Sequence, residues 1–184
     1  IKEKHDALKL TIKVGSILKG RGHTIVYTRT TDVYESPNAK AKEGNASGAA
    51  FFASFHRNSN DDKDANGYET LVYANSGKPK MCADPANNNI PSIGFKNRGT
   101  KIRTEMAELN GTTMPAVLFE NGFISNKNDN TLFDSKFDMI AEGLADAIEA
   151  AVGKGSGNSS SGSSTSSGNK TISTGSTPSY KVGN

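Results

Sequence analysis

Two apolar runs end on groups that can do chemistry: "AAFFASFH" closes on His56 and "PAVLFE" closes on Glu120. A histidine offers metal-ligand or proton-transfer chemistry, and a carboxylate at the border of a dry layer needs a partner or a raised pKa. On neighbouring strands the two would form a metal-and-base pair able to activate water. Taken alone, His56 also has a plainer reading as a hydrogen-bonded residue where a strand meets solvent.

The elements that must carry these groups alternate between helix and strand. Residues 3–19 place Leu8, Ile12 and Ile17 on a helical stripe, with Leu10 and Val14 beside it, and Gly20-Arg21-Gly22 ends the helix. "HTIVYTR" reads as a β-branched strand, residues 38–45 as a short polar helix, and residues 49–56 as a strand covered on both faces. "GYETLVYA" alternates better and reads as a strand nearer an edge, residues 76–97 as mostly loop, and residues 98–109 as a helix. Residues 116–120 form another buried strand. Phe133, Phe137, Ile140, Leu144 and Ile148 predict one helix over 132–152. The expected fold class is α/β, a mixed, largely parallel sheet flanked by helices, with its site at the carboxyl ends of the strands.

Composition divides the chain. Of 184 residues only 34% are apolar, and from Gly153 onward the sequence reads "GKGSGNSSSGSSTSSGNKTISTGSTPS". That composition buries too little to offset its ordering entropy and predicts a disordered Gly/Ser linker over 153–179. Residues 180–184 then read as the start of a C-terminal module. Setting aside Lys154, Lys170 and Lys181 leaves 19 basic residues against 19 acids. The balanced body argues against nucleic acid as a partner, which needs basic residues gathered on a face. No apolar run approaches the roughly 20 residues of a spanning helix. Cys82 stands alone, so an intrachain disulfide and a cysteine-based zinc finger are excluded; a buried bystander is the default for a lone cysteine, whereas "PKMCADPANNN" looks exposed, and the two readings stay open. Asn126 and Asp129 read as turn residues, and Arg29 as a structural partner of Asp32.

Taken in order, "EKHDAL", "GHTIVYTRTTD", "FASFHRNSN", "NRG" at 97–99 and "PAVLFENGFISNKNDN" resemble the zinc-dependent N-acetylmuramoyl-L-alanine amidases shared by bacterial autolysins and phage endolysins. The resemblance covers residues 1–152 and implies a zinc held by two histidines and one glutamate. Matched position by position, it implies Glu3 and His56 as metal ligands and Glu120 as the catalytic acid–base group. Arg98 has two readings, a contact for the carboxylates of the substrate stem peptide or a helix cap. The resemblance further implies peptidoglycan as substrate, an extracellular or cell-wall location and a monomer. The family's first histidine, in a Gly-His-Gly segment, has no counterpart. His5 stands two residues from Glu3 on the same helix, where side chains do not converge, and His23 reads as an exposed turn residue. Because Ile1 already matches a point inside the family pattern, the simplest expectation is an N-terminally incomplete sequence that binds zinc weakly or not at all. Where the family has an arginine, Lys40 keeps the charge without the bidentate fork.

Two other readings differ in class. A non-catalytic member of the same fold would bind wall peptide or regulate another hydrolase, consistent with the missing histidine. A metal phosphoesterase built on "HRNSND" lacks the Asp-rich or Gly-rich phosphate sites that such chemistry favours.

Overall fold

The computed structural model describes residues 2–155 and 179–183. In chain order the elements are α1 (Lys2–Gly20), β1 (Thr24–Tyr27), α2 (Pro37–Ala46), β2 (Phe51–Asn58), β3 (Tyr68–Val72), α3 (Gly77–Ser92), β4 (Asn97–Ile102), α4 (Ala107–Asn110), β5 (Ala116–Phe123), α5 (Lys127–Ser135), α6 (Phe137–Val152) and β6 (Ser179–Gly183). The strands form one sheet in the order β1-β6-β2-β5-β3-β4, and every neighbouring pair except β5–β3 is parallel. The mixed, largely parallel α/β sheet flanked by helices is the architecture that the alternating pattern predicts. Most of the Gly/Ser segment, residues 156–178, lies outside the described residues.

The period of two along each strand divides the core between the two faces of the sheet. Phe51, Ala53 and Phe55 of β2 join Val117 and Phe119 of β5 and Tyr68 and Val72 of β3 in the larger cluster. Leu10, Val14 and Leu18 of α1, Cys82, Ala86 and Ile90 of α3, and Ile140, Leu144 and Ile148 of α6 cover it. On the opposite face Phe52, Leu71, Ala116 and Leu118 form a smaller cluster capped by Leu109 of α4. This second layer is short. Beyond it, the carboxyl-terminal halves of β2 and β5 carry polar side chains on a sheet face that helices cover only in part. Gly15 lets α1 approach β1 closely, since a Cβ there would stand 2.3 Å from the Tyr27 hydroxyl oxygen.

Several local expectations are corrected. Residues 77–92 form helix α3 despite Pro85 and Pro91. Its apolar stripe packs against α6, where Asn89 Nδ2 donates to the Gly143 carbonyl at 3.1 Å, so tertiary burial overrides poor helix propensity. Cys82 lies on that stripe and is fully buried. Residues 97–102, with 98–102 expected in a helix, form edge strand β4, leaving only the short α4 at 107–110. Strand β3 is internal, between β5 and β4, with all five residues buried. The single helix expected over 132–152 is two helices, meeting at Lys136. His23 is buried, its Nε2 2.8 Å from Glu149 Oε1 on α6.

Candidate active site

Parallel pairing of β2 with β5 sets His56 opposite Glu120, so both side chains rise from the same face of the sheet. The strands are pinned at this level by Asn121, whose side-chain amide donates to the His56 carbonyl at 3.2 Å and the Phe119 carbonyl at 3.1 Å. Beyond it the register slips, with Asn58 pairing with Phe123. The extra residue falls near Gly122, at φ 78°, where a Cβ would meet the Phe95 ring at 2.7 Å and Asp129 at 3.1 Å. Asp129 is therefore more than a turn residue: its Oδ2 accepts from the Gly67 and Phe123 amides, each at 2.8 Å. Asn126 caps α5, accepting from the Asn128 and Asp129 amides.

Arg57, the next residue on β2, faces the other way and anchors the strand. Its guanidinium is fully buried, reaching Asp6 of α1 at 2.5 Å and Asn130 of α5 at 2.9 Å, with the Phe133 ring 4.1 Å away. This clamp ties the first turn of α1 to the end of β2, and so brings Glu3 to His56. Glu3 Oε1 lies 3.1 Å from His56 Nδ1. Its carboxyl is held below the usual range, first by that hydrogen bond, against the opposing effect of burial, with help from the His56 charge and the Arg57 backbone amide.

The other edge of the imidazole meets two groups that the sequence did not single out. His56 Nε2 lies 3.1 Å from Ser54 Oγ and 3.5 Å from Glu108 Oε1. Glu108, on α4, is 2% exposed and also pairs with Lys40 Nζ of α2 at 3.4 Å. Lys40 thus makes the carboxylate contact with a single ammonium in place of an arginine fork. Burial would raise the Glu108 carboxyl, but the hydrogen bond and charge of His56, with Lys40, hold it below the usual range. Burial would likewise lower the His56 pKa, but hydrogen bonds to Glu108 and Glu3 and the fields of Glu120 and Glu108 raise it from 6.5 to about 9.

Glu120 is the exception among these acids. Its Oε2 is buried with no hydrogen-bond partner. Burial, reinforced by Glu3, Glu69 and Glu108 and only partly opposed by the His56 charge, pushes its carboxyl up to about 7. Glu69 faces it across the antiparallel β3–β5 pair, but Glu69 is partnered: Arg98 Nε donates to it at 2.9 Å and Asn58 Nδ2 at 3.1 Å. Arg98 also reaches the Asn66 carbonyl at 3.4 Å and stacks over Phe123. The structure therefore brings Glu3, His56 and Glu120 together, and sets Arg98 beside Glu69 on the far side of Glu120. His5 turns to Asp32, 3.4 Å away.

A cleft of ≈ 380 Å³ opens onto Glu3 and His56, walled by Arg29, Asp32, Val33, Tyr34, Glu35 and Lys40. Arg29 is structural, donating to the Lys4 and Thr31 carbonyls and standing 3.8 Å from Asp32. Glu3 and His56 are suitable metal donors, one oxygen and one nitrogen, but a hydrolytic zinc site needs three protein donors. Among the described residues no group of three His, Cys, Asp or Glu could hold a metal ion. The described residues do not make a complete zinc site.

The family profile for N-acetylmuramoyl-L-alanine amidase matches residues 1–150. The chain belongs to this amidase family. It is 37% identical over 158 residues to an endolysin of Bacillus phage SPP1, covering 80% of this chain and 57% of that protein. A sporulation-specific N-acetylmuramoyl-L-alanine amidase of Bacillus subtilis is 32% identical over 157 residues, covering 82% and 60%. The chain thus spans rather more than half the length of these relatives. Among solved structures, the catalytic domain of the amidase CwlV from Bacillus (Paenibacillus) polymyxa var. colistinus superposes with TM-score 0.74 at 33% identity, covering 82% of this chain and 84% of that one. No helix among the described residues of this amidase-family chain is long and apolar enough to cross a membrane.

Against that background, the resemblance points to Glu3, His56 and Glu120 but not to Glu108 or Ser54. Glu108 falls in the segment read as a helix over 98–109 and ends no apolar run, so nothing in the sequence marks it. Ser54 was hidden in a run of apolar neighbours.

Proposed function

We propose that this domain hydrolyses the amide joining the lactyl group of N-acetylmuramic acid to L-alanine in bacterial peptidoglycan. The observation that carries the reading is Glu120, a partly buried residue whose Oε2 is buried without a hydrogen-bond partner and whose carboxyl is pushed up to about 7, set beside His56 on the next strand. A group titrating near neutrality is present in both protonation states, so it can take a proton from an attacking water and return one to the departing amine. His56 lies between the Glu3 and Glu108 carboxylates at the cleft floor, the position from which the scissile carbonyl would be met. Arg98, partly exposed beside Glu69, serves in this reading as a contact for the acidic groups of the stem peptide.

Zinc dependence is part of the proposal. A bound zinc would polarise the carbonyl and acidify its water. Glu3 and His56 are the two donors available to it, and a third donor is required. The proposed setting is the cell wall, with the domain acting as a monomer in an autolysin or endolysin. The two-donor set favours one alternative, a wall-peptide-binding module of the same fold that does not hydrolyse.

The test is incubation with purified peptidoglycan, with and without added zinc, followed by labelling of new amino termini. Release of peptides beginning with alanine, abolished by Glu120→Gln, supports hydrolysis. Co-sedimentation with the wall but no new alanine termini at any zinc level overturns it in favour of the binding module.

A further inference from the structure

The two edges of the His56 ring meet different surroundings. The Nδ1 edge faces Glu3, whose side chain is 42% exposed and lines the cleft. The Nε2 edge faces Glu108, whose side chain is 3% exposed, together with Ser54. A hydrogen bond to a carboxylate shut away from water is far less screened than one to a carboxylate in contact with it. Lys40 holds Glu108 from the opposite side at 3.4 Å, and its own side chain is 10% exposed. The chain Lys40–Glu108–His56–Glu3 thus leaves the cleft wall at Lys40, passes through the buried Glu108 carboxylate and returns to the cleft at His56 and Glu3, spanning α2, α4, β2 and α1.

We propose that Glu108, steadied by Lys40, is a positioning residue: it grips His56 by Nε2 and fixes the ring so that Nδ1 faces Glu3 and the cleft. The contacts at Nε2 and the Glu3 contact at Nδ1 hold the ring at two atoms, and the pairing with Lys40 keeps the Glu108 carboxylate from swinging away. The short α4 acquires a purpose in this arrangement. It caps the smaller apolar cluster through Leu109 and presents Glu108 from the same turn. The consequence for hydrolysis rests on the function proposed above, whereas the grip on the ring does not.

The decisive readout is the imidazole N–H proton of His56 in ¹⁵N-edited spectra of the whole chain. An Nε2–H bonded to a buried carboxylate exchanges slowly with water and gives a visible signal; an Nδ1–H facing the wet cleft does not. The protected signal is expected in the wild type and in Glu108→Gln, whose amide oxygen still accepts. It should be lost in Glu108→Ala and broadened in Lys40→Met, with circular dichroism confirming that each variant is folded. If Glu108→Ala keeps the signal, Ser54 alone holds the ring and the proposal fails. If Glu108→Gln loses it as completely as Glu108→Ala while remaining folded, acceptance of the Nε2 proton is not what positions the ring, and the proposal fails again. On peptidoglycan, Glu108→Ala should lower kcat by about 10–100-fold with little change in KM, as loss of an orienting partner does, and Glu108→Gln should recover part of it. A wild type that releases no alanine termini but shows the protected proton would sink the hydrolase reading and leave this one standing.

Discussion

Replacing Glu120 by glutamine should make the protein more stable and less active, and both effects follow from one buried oxygen. The glutamate carboxyl moves from an ordinary value of 4.5 in the unfolded chain to about 7 in the fold. Between those values the folded protein keeps a proton that the unfolded chain has lost. Stability therefore falls as pH rises through this window, with no penalty below 4.5 and the full penalty above 7. At about 1.4 kcal/mol per pH unit, the ceiling is ~3.5 kcal/mol. Relaxation around the site will reduce it, so a gain of about 1–3 kcal/mol at pH 8 is expected for Glu120→Gln, close to zero at pH 4. For a domain of this size that corresponds to roughly 2–10 °C in Tm. The assay is thermal unfolding of wild type and variant by circular dichroism at pH 4, 6 and 8, in chelator so that no metal contributes. Amide hydrolysis, measured separately with zinc added and no chelator, should drop by about 10²–10⁴-fold, the usual contribution of a positioned acid–base group. A variant equally or less stable at pH 8, or one whose gain persists at pH 4, would refute the claim that Glu120 is held as a strained carboxyl.

Three further outcomes are expected. The His56 pKa is raised from 6.5 to about 9, so its contribution is fully present below 6.5 and is lost as pH rises through 9; chelated wild type should lose stability across that range, and His56→Ala should not show this slope. Gly122→Ala imposes φ 78° on an L residue and drives a Cβ to 2.7 Å from Phe95, so it should cost about 1–3 kcal/mol or more, read as a lowered urea midpoint. Leu144→Ala empties a fully buried position on α6 and should cost about 2–5 kcal/mol by the same measurement.

The layered α/β plan was legible because β2, β5 and α6 have patterns dictated by burial. The run from Phe51 to Phe55 is buried throughout, and the three- and four-residue stripe of α6 lies in the larger core cluster, so both patterns report burial directly. α3 was not legible, since Pro85, Pro91 and three consecutive asparagines describe a loop until α6 and β3 give Cys82, Ala86 and Ile90 somewhere to pack. β4 suffered the reverse error, because "NRGTKI" becomes a strand only when β3 offers it a partner. The site shows the same division. His56 and Glu120 stood out as polar groups ending apolar runs, and the register of β2 against β5 brought them side by side. Glu108 could not be found this way: its role depends on α4 folding over the sheet face, a contact between residues 52 positions apart.

What distinguishes Glu120 is visible only by comparing the acids around His56. Glu3 has the imidazole at 3.1 Å, Glu69 has Arg98 at 2.9 Å, and Glu108 has both Lys40 and His56. Each of those charges has a cation or imidazole to balance it. Glu120 has no such contact at Oε2, and three like charges surround it. A site in which burial, aided by neighbouring acids, pushes one carboxyl up while His56 holds two others down has sorted its acids into different roles. Removing any of the three neighbouring charges should relax Glu120 toward an ordinary carboxylate, so their substitutions would lower the pH at which it gives up its proton even though none of them touches it.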